Sequence, residues 1–288
     1  MRTLVIGGTG TVGRDVVAQL RADGVDAVPA ARHAGADGLT LDLRDARAVE
    51  RVARGFDTAF LATPLGPDET TIGVAAVQAL RRAGVGKIVY LGIMNLEPMR
   101  AIPHFETKLP IRDAVLADGR GVMIAANFFF QNDRMVLPAI LQGGIYPLPI
   151  GSAGVWSVDT GDIASAAARA LLVDDWNGRV VPLCGAEALT GPSIAATWEA
   201  AIGSPVRYAG DAVDPFLAML GGHMPEWNAW VEHDFRLMME VTQAQGCPAT
   251  PDDIAAAAAI IGRPQRRYHD FVADLVQTAT AASTGEMP

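Results

Sequence analysis

Three glycines stand three residues apart in Leu4-Val-Ile-Gly7-Gly8-Thr9-Gly10-Thr11-Val12-Gly13-Arg14. Residues of this type at this spacing make an anion cradle. Gly7 lets the chain turn tightly after a short apolar run, and Gly10 lets backbone approach a pyrophosphate. Gly13 permits close packing of the following helix on the strand. The amides of the helix's first turn then face phosphate oxygens, which makes Thr9, Thr11 and Val12 the accompanying candidate contacts. A glycine-rich turn without a ligand is the alternative reading, and the motif's place at residue 7 of an alternating chain speaks against it. No Gly-Lys-Ser/Thr is present here, so a nucleoside-triphosphate P-loop is disfavoured.

The second strand bears on which dinucleotide is expected. Its end carries Arg32-His33 rather than the acid that usually accepts from the ribose hydroxyls of NAD. Arg32 has the planar fork that pairs with a 2′-phosphate, which favours NADP (NADPH) over NAD; a solvated surface arginine is the other reading. Asp42 is placed either to accept from the adenine amine or to cap a helix. Ala62, Thr63 and Pro64 end a strand-like run, at the carboxyl edge where doubly wound sheets hold ligands. Met94 and Asn95 occupy the same edge one strand later and are pocket candidates, although Met94 also suits a core.

These residues need a scaffold, and the first half of the chain describes one. Short apolar runs (3–6, 27–28, 39–43, 58–62, 87–91 and 122–125) alternate with helical stretches (12–20, 48–53, 69–83 and 108–117). That alternation predicts an α/β fold, a Rossmann-type doubly wound parallel sheet covered on both faces. Residues 138–157, rich in Gly and Pro, read as a loop insertion or short hairpin. A capped helix is expected over 159–173 and a strand over 179–183. Beyond residue 186, helical segments (193–201, 214–220, 226–245 and 252–261) predict a smaller, mainly helical substrate lobe to residue 277, then a frayed tail over 278–288.

Composition removes several function classes. The 288 residues carry a net charge of -9, which disfavours nucleic acid as a partner. The longest apolar stretches fall short of the roughly 20 residues that span a bilayer, so no membrane association is expected. The run Leu4–Ile6 is too short for a signal peptide, and two cysteines fit a reducing cytoplasm. The five histidines show no metal-ligand spacing, with His223 and His233 ten apart and no close third ligand. The basic run Arg263–Tyr268 on an acidic chain reads as salt-bridged surface.

An ordered set of segments resembles the atypical short-chain dehydrogenase/reductases of the NmrA-like and isoflavone-reductase-like group. It comprises Gly7-Gly-Thr-Gly-Thr-Val-Gly13, Arg32, Phe60-Leu-Ala-Thr-Pro64 and His104-Phe-Glu-Thr-Lys108. It continues with Asp118-Gly119, Ala126-Asn127-Phe-Phe-Phe130 and Val158-Asp-Thr-Gly-Asp162-Ile-Ala164. The match spans about residues 1–185, assigned as the NAD(P)-binding domain. The resemblance implies either NADPH-dependent reduction or cofactor binding that reports redox state to a protein partner. Ordinary members of the superfamily use Tyr-x-x-x-Lys, where the tyrosine protonates substrate and the lysine holds the nicotinamide ribose. Here Lys108 carries over and His104 stands in the tyrosine's place.

Spacing of four puts His104 and Lys108 on one helical face, with His104 able to serve as acid or base. Alternatively, Pro103 starts a helix and His104 is an exposed first-turn residue. Asn127 is a further cofactor candidate. Phe128, Phe129, Trp156, Phe216, Met219 and Trp227 are candidate walls of a pocket for an apolar or aromatic small molecule. His223 and Trp230 belong to the same aromatic and Met-rich group, which equally suits helix packing. Asp162 is expected to tie a loop. The favoured activity is hydride transfer from NADPH to a carbonyl, quinone or activated alkene, by a monomer or homodimer. A redox-sensing regulator and a redox-neutral isomerase or cyclase are the alternatives.

Overall fold

The computed structural model describes residues 1–222, 224 and 227–284. In chain order the elements are β1 (Arg2–Ile6), α1 (Thr11–Ala22), β2 (Asp26–Ala31), β3 (Leu39–Thr40), α2 (Ala46–Ala53), β4 (Thr58–Leu61) and α3 (Glu69–Arg82). Then come β5 (Lys87–Ile93), α4 (Pro103–Leu116), β6 (Val122–Ala126), a 3-10 helix (Phe130–Val136), α5 (Leu137–Gly143) and β7 (Ile145–Tyr146). The chain continues through α6 (Thr160–Leu172), β8 (Val180–Leu183), α7 (Gly191–Ile202), β9 (Arg207–Tyr208) and α8 (Val213–Gly221). It goes on to α9 (Ala229–Gln245), α10 (Pro251–Ile261) and α11 (Tyr268–Thr284).

These elements form two compact units that do not follow a single cut near residue 185. The first comprises residues 1–126, 160–183 and 251–264; the second comprises 127–159, 184–250 and 265–288. In the first unit a parallel sheet runs β3-β2-β1-β4-β5-β6-β8. Its inner strands are buried on both faces and read as continuous apolar runs such as Leu4-Val-Ile6 and Val122–Ala126. Helices α1 and α6 pack together on one face, and α2, α3 and α4 line up along the other. This is the doubly wound Rossmann arrangement. Strand order reverses between β1 and β4, and such a switch point opens a ligand crevice at the carboxyl ends. Helix α10 returns from late in the sequence to pack on α6 and β8. Arg263, just beyond it, pairs with the buried Asp162 at 2.7 Å.

The second unit is mainly helical, with one two-stranded parallel pair, β7 with β9, among its described residues. Residues 138–157 therefore form neither a plain loop nor a hairpin. Helix α5 ends in left-handed Gly144, and β7 then pairs with a strand far along the chain. Strands of two residues are too short to show a period, which is why the sequence hides them. Residues 278–284, expected to fray, continue α11, which packs against α7 and is anchored at its start by buried Tyr268, Phe271 and Val272. His223, the expected helix start at Glu226 and residues 285–288 lie outside the described residues. Among those described, no helix is long and apolar enough to cross a membrane.

Candidate active site

The glycine loop joins β1 to α1 as the spacing requires. Gly7 has φ +80, a left-handed conformation that a side chain would strain. A Cβ on Gly13 would lie 2.1 Å from the Gly7 carbonyl oxygen, so α1 can start this close to the turn only with glycine there. Gly10 caps α1 without a side-chain hydrogen bond, and the first turn holds no acid. Amides left in this state, at the positive end of a helix dipole, are the donors an anion needs. Thr9, Gly10 and Thr11 are exposed, whereas the Val12 side chain is buried and only its backbone is available to a ligand.

A cavity of about 360 Å³ opens beside this loop. Gly7, Thr9 and Gly10 line it together with Arg32, Asp42, Ala62, Thr63 and Pro64, so most of the nucleotide candidates share one groove. Asp42 caps no helix: its carboxylate accepts from the Arg44 amide at 3.0 Å, and Asp45 caps α2 instead. Arg44, which the sequence reading missed, lines the same groove as Arg32 and pairs with Asp68 at 3.3 Å. A second cation two residues beyond Asp42 was its only sequence signal.

Helix α4 begins at Pro103, earlier than the apolar spacing implies, because proline is preset for the first helical position. His104 and Lys108 consequently sit one turn apart, and both are buried. The picture of an exposed His104 is thus corrected; its ring meets Phe105 edge-on at 4.7 Å.

Lys108 Nζ donates to Glu69 Oε1 at 2.5 Å. Glu69, in the first turn of α3, is wholly buried and also accepts from Thr63 Oγ1 at 2.5 Å and from Thr107 Oγ1 at 2.6 Å. Tyr90, from β5, is a polar neighbour of Lys108, and its hydroxyl lies 3.4 Å from Thr63 Oγ1. Burial disfavours the Lys108 charge, yet Tyr90 and Glu69 outweigh it and hold the ammonium above the usual lysine range. Burial, more than its polar neighbours, pushes the Tyr90 hydroxyl up. Neither Glu69 nor Tyr90 stands in any motif, so sequence reasoning passed over both.

The pocket candidates do not form one wall. Met94 and Asn95 line a cavity of about 270 Å³ in the first unit, with Arg112 and Asp253. Asn95 adopts φ 58, rare for a residue with a side chain. In the second unit, Phe128 and Phe129 line a small cavity of about 20 Å³ with Asp133 and Tyr268, whereas half-buried Trp227 lines a different one with Asp214 and Arg236. Phe216 is buried and Met219 half-buried on α8, and Trp156 is half-buried and set against Gly154. Asn127 is committed locally: its Nδ2 donates to the Cys247 carbonyl at 3.0 Å, and its Oδ1 accepts from the Phe128 amide at 2.8 Å.

The chain matches the NmrA-like family over residues 2–244. It is 30% identical to an NAD(P)H azoreductase of Xenophilus azovorans, with 93% of this chain and 96% of that protein covered. A (4-alkanoyl-5-oxo-2,5-dihydrofuran-3-yl)methyl phosphate reductase of Streptomyces griseus is 27% identical, with 94% and 96% covered. Among solved structures, the triphenylmethane reductase of a Citrobacter species, complexed with NADP(H), superposes with a TM-score of 0.80 at 19% identity, over 96% of this chain and 100% of that one. The protein belongs to the NmrA-like family.

Proposed function

We propose that this NmrA-like protein is an NADPH-dependent reductase that transfers hydride to a carbonyl, quinone or activated alkene of a small apolar or aromatic acceptor. The observation that carries the reading is the groove in which an uncapped helix N-terminus, a glycine cradle and two arginines converge. A dinucleotide fits this donor set. The amides of the first turn of α1, from Thr11 to Gly13, take its pyrophosphate, Arg32 and Arg44 its 2′-phosphate, and Ala62, Thr63 and Pro64 form the wall. When bound, NADPH supplies the hydride. Lys108 holds a ribose hydroxyl, and His104, one turn away, holds the proton that the acceptor requires. Met94 and Asn95, which line their own cavity in the first unit, contribute to acceptor binding. The relatives' names support reduction as the reaction type, and the azoreductase adds an N=N bond to the acceptors worth testing.

The test is titration with NADPH and NADH, followed by loss of nicotinamide absorbance against quinones, enones, aromatic ketones and azo compounds. The expected result is NADPH binding about tenfold tighter than NADH, with the preference reduced in Arg32→Ala. Turnover is expected on at least one acceptor class and lost in Lys108→Ala. Binding without turnover on any class would replace the reductase with a redox-sensing regulator. Failure to bind either nucleotide would overturn the reading altogether.

A further inference from the structure

An ammonium has three N–H donors, and one of those on Lys108 is spent inside the protein on Glu69, with Tyr90 as a further polar neighbour. Glu69 is in turn locked. Its Oε1 is shared between Lys108 and Thr63, and its Oε2 is held by Thr107 from the same helix as Lys108. Thr63 has a second role, since it lines the glycine-loop groove. The cluster therefore ties an ammonium on α4 to the wall of the groove through one carboxylate on α3.

We infer that Glu69 is a positioning residue for nucleotide binding: with Thr63 and Thr107 it fixes the Lys108 ammonium on one side and leaves N–H donors for a ribose hydroxyl. The inference rests on the proposed contact between Lys108 and the cofactor. Its physical basis is that an ammonium with so little solvent needs a compensating charge, and Glu69 is the carboxylate in contact with it. Removing that charge while keeping the shape leaves burial to act alone, and burial drives lysine toward the neutral amine. The titratable groups facing Lys108 are Glu69 from α3, Tyr90 from β5 and, one turn earlier on α4, His104. Strand β6, also packed on α4, brings only Val122–Ala126.

The experiment measures the NADPH dissociation constant of the full chain from about pH 6 to about pH 9, for wild type, Glu69→Gln, Glu69→Asp and Lys108→Met, with thermal unfolding as a check of folding. Wild type is expected to change little over this range. Glu69→Gln weakens about tenfold as pH rises, because Lys108 deprotonates within the window, and Glu69→Asp restores most of the flat profile. If Glu69→Gln does not fold, Tyr90→Phe carries the test, with an expected pH-dependent weakening of about threefold. A folded Glu69→Gln, or in its absence Tyr90→Phe, whose profile parallels wild type would overturn the inference while Lys108→Met still binds weakly. Wild-type binding by Lys108→Met would instead overturn the cofactor contact itself, and the inference with it.

Discussion

Glu69 in the first unit and Asp133 in the second are both buried carboxylates that accept from three donors. Glu69 takes two hydroxyls and an ammonium, whereas Asp133 takes the hydroxyls of Tyr146 and Tyr268 and the indole N–H of Trp198. Hydrogen-bond number is the same, and formal charge is not. Burial raises Asp133 to about 6, and the three neutral donors offset this only in part. On the other side, the Lys108 ammonium is held above its usual range despite its burial. Neutral donors satisfy the lone pairs of a buried carboxylate, but only an opposite charge compensates the cost of taking its own charge out of water. The first arrangement sets an ammonium against a carboxylate beside the glycine-loop groove. The second makes a carboxyl that changes charge near neutrality.

The largest effect should come from breaking the ion pair. Lys108→Met leaves Glu69 buried beside hydroxyls alone and is expected to cost about 3–5 kcal/mol in urea unfolding. Adding Glu69→Gln should return much of that loss, and a double-mutant cycle with no coupling would refute the contrast. Next comes the pH response of Asp133. Its folded pKa lies above the unfolded value, so the unfolded state loses its proton first. The group's contribution therefore falls as pH rises from about 4 to about 6, by on the order of 3 kcal/mol, and is level above that. Asp133→Asn lacks this dependence. The difference in unfolding free energy between wild type and variant should shift across that window, in the direction of a relatively weaker wild type at neutral pH.

A smaller change is expected from Tyr268→Phe, which withdraws one donor from Asp133. At neutral pH it should cost about 2 kcal/mol, and much less at about pH 4, where the carboxyl is protonated. The smallest effect belongs to Thr107→Ser, which keeps the hydroxyl on Glu69 and loses a methyl. Its expected cost is about 0.5 kcal/mol, and a loss as large as that of Tyr268→Phe would mean that packing rather than hydrogen bonding supports Glu69.

Sequence legibility differed between the same regions. The glycine loop was readable because its constraints act within seven residues: a left-handed turn at Gly7 and a close approach at Gly13 exclude side chains locally. The alternation of strands and helices was readable for the same reason, since each element carries its own period. Residues 127–159 were not. Their 3-10 helix, α5 and the short β7 take their form from partners such as β9 and Leu189, which the Val155 bridge reaches, and no local pattern announces such pairings. The division into two units was hidden as well, because α10 joins the sheet unit from beyond most of the helical one.

Local order along the chain thus specified a doubly wound sheet with a glycine loop at its first turn, and it marked Lys108 as the side chain to watch. What surrounds that lysine came from elements far apart in sequence. Glu69 lies 39 residues before it on a neighbouring helix, and Tyr90 lies on a strand between them. Their contact exists because α3 and α4 pack side by side and α4 lies on β5, and packing of that kind is set by the whole sheet rather than by any spacing along the chain.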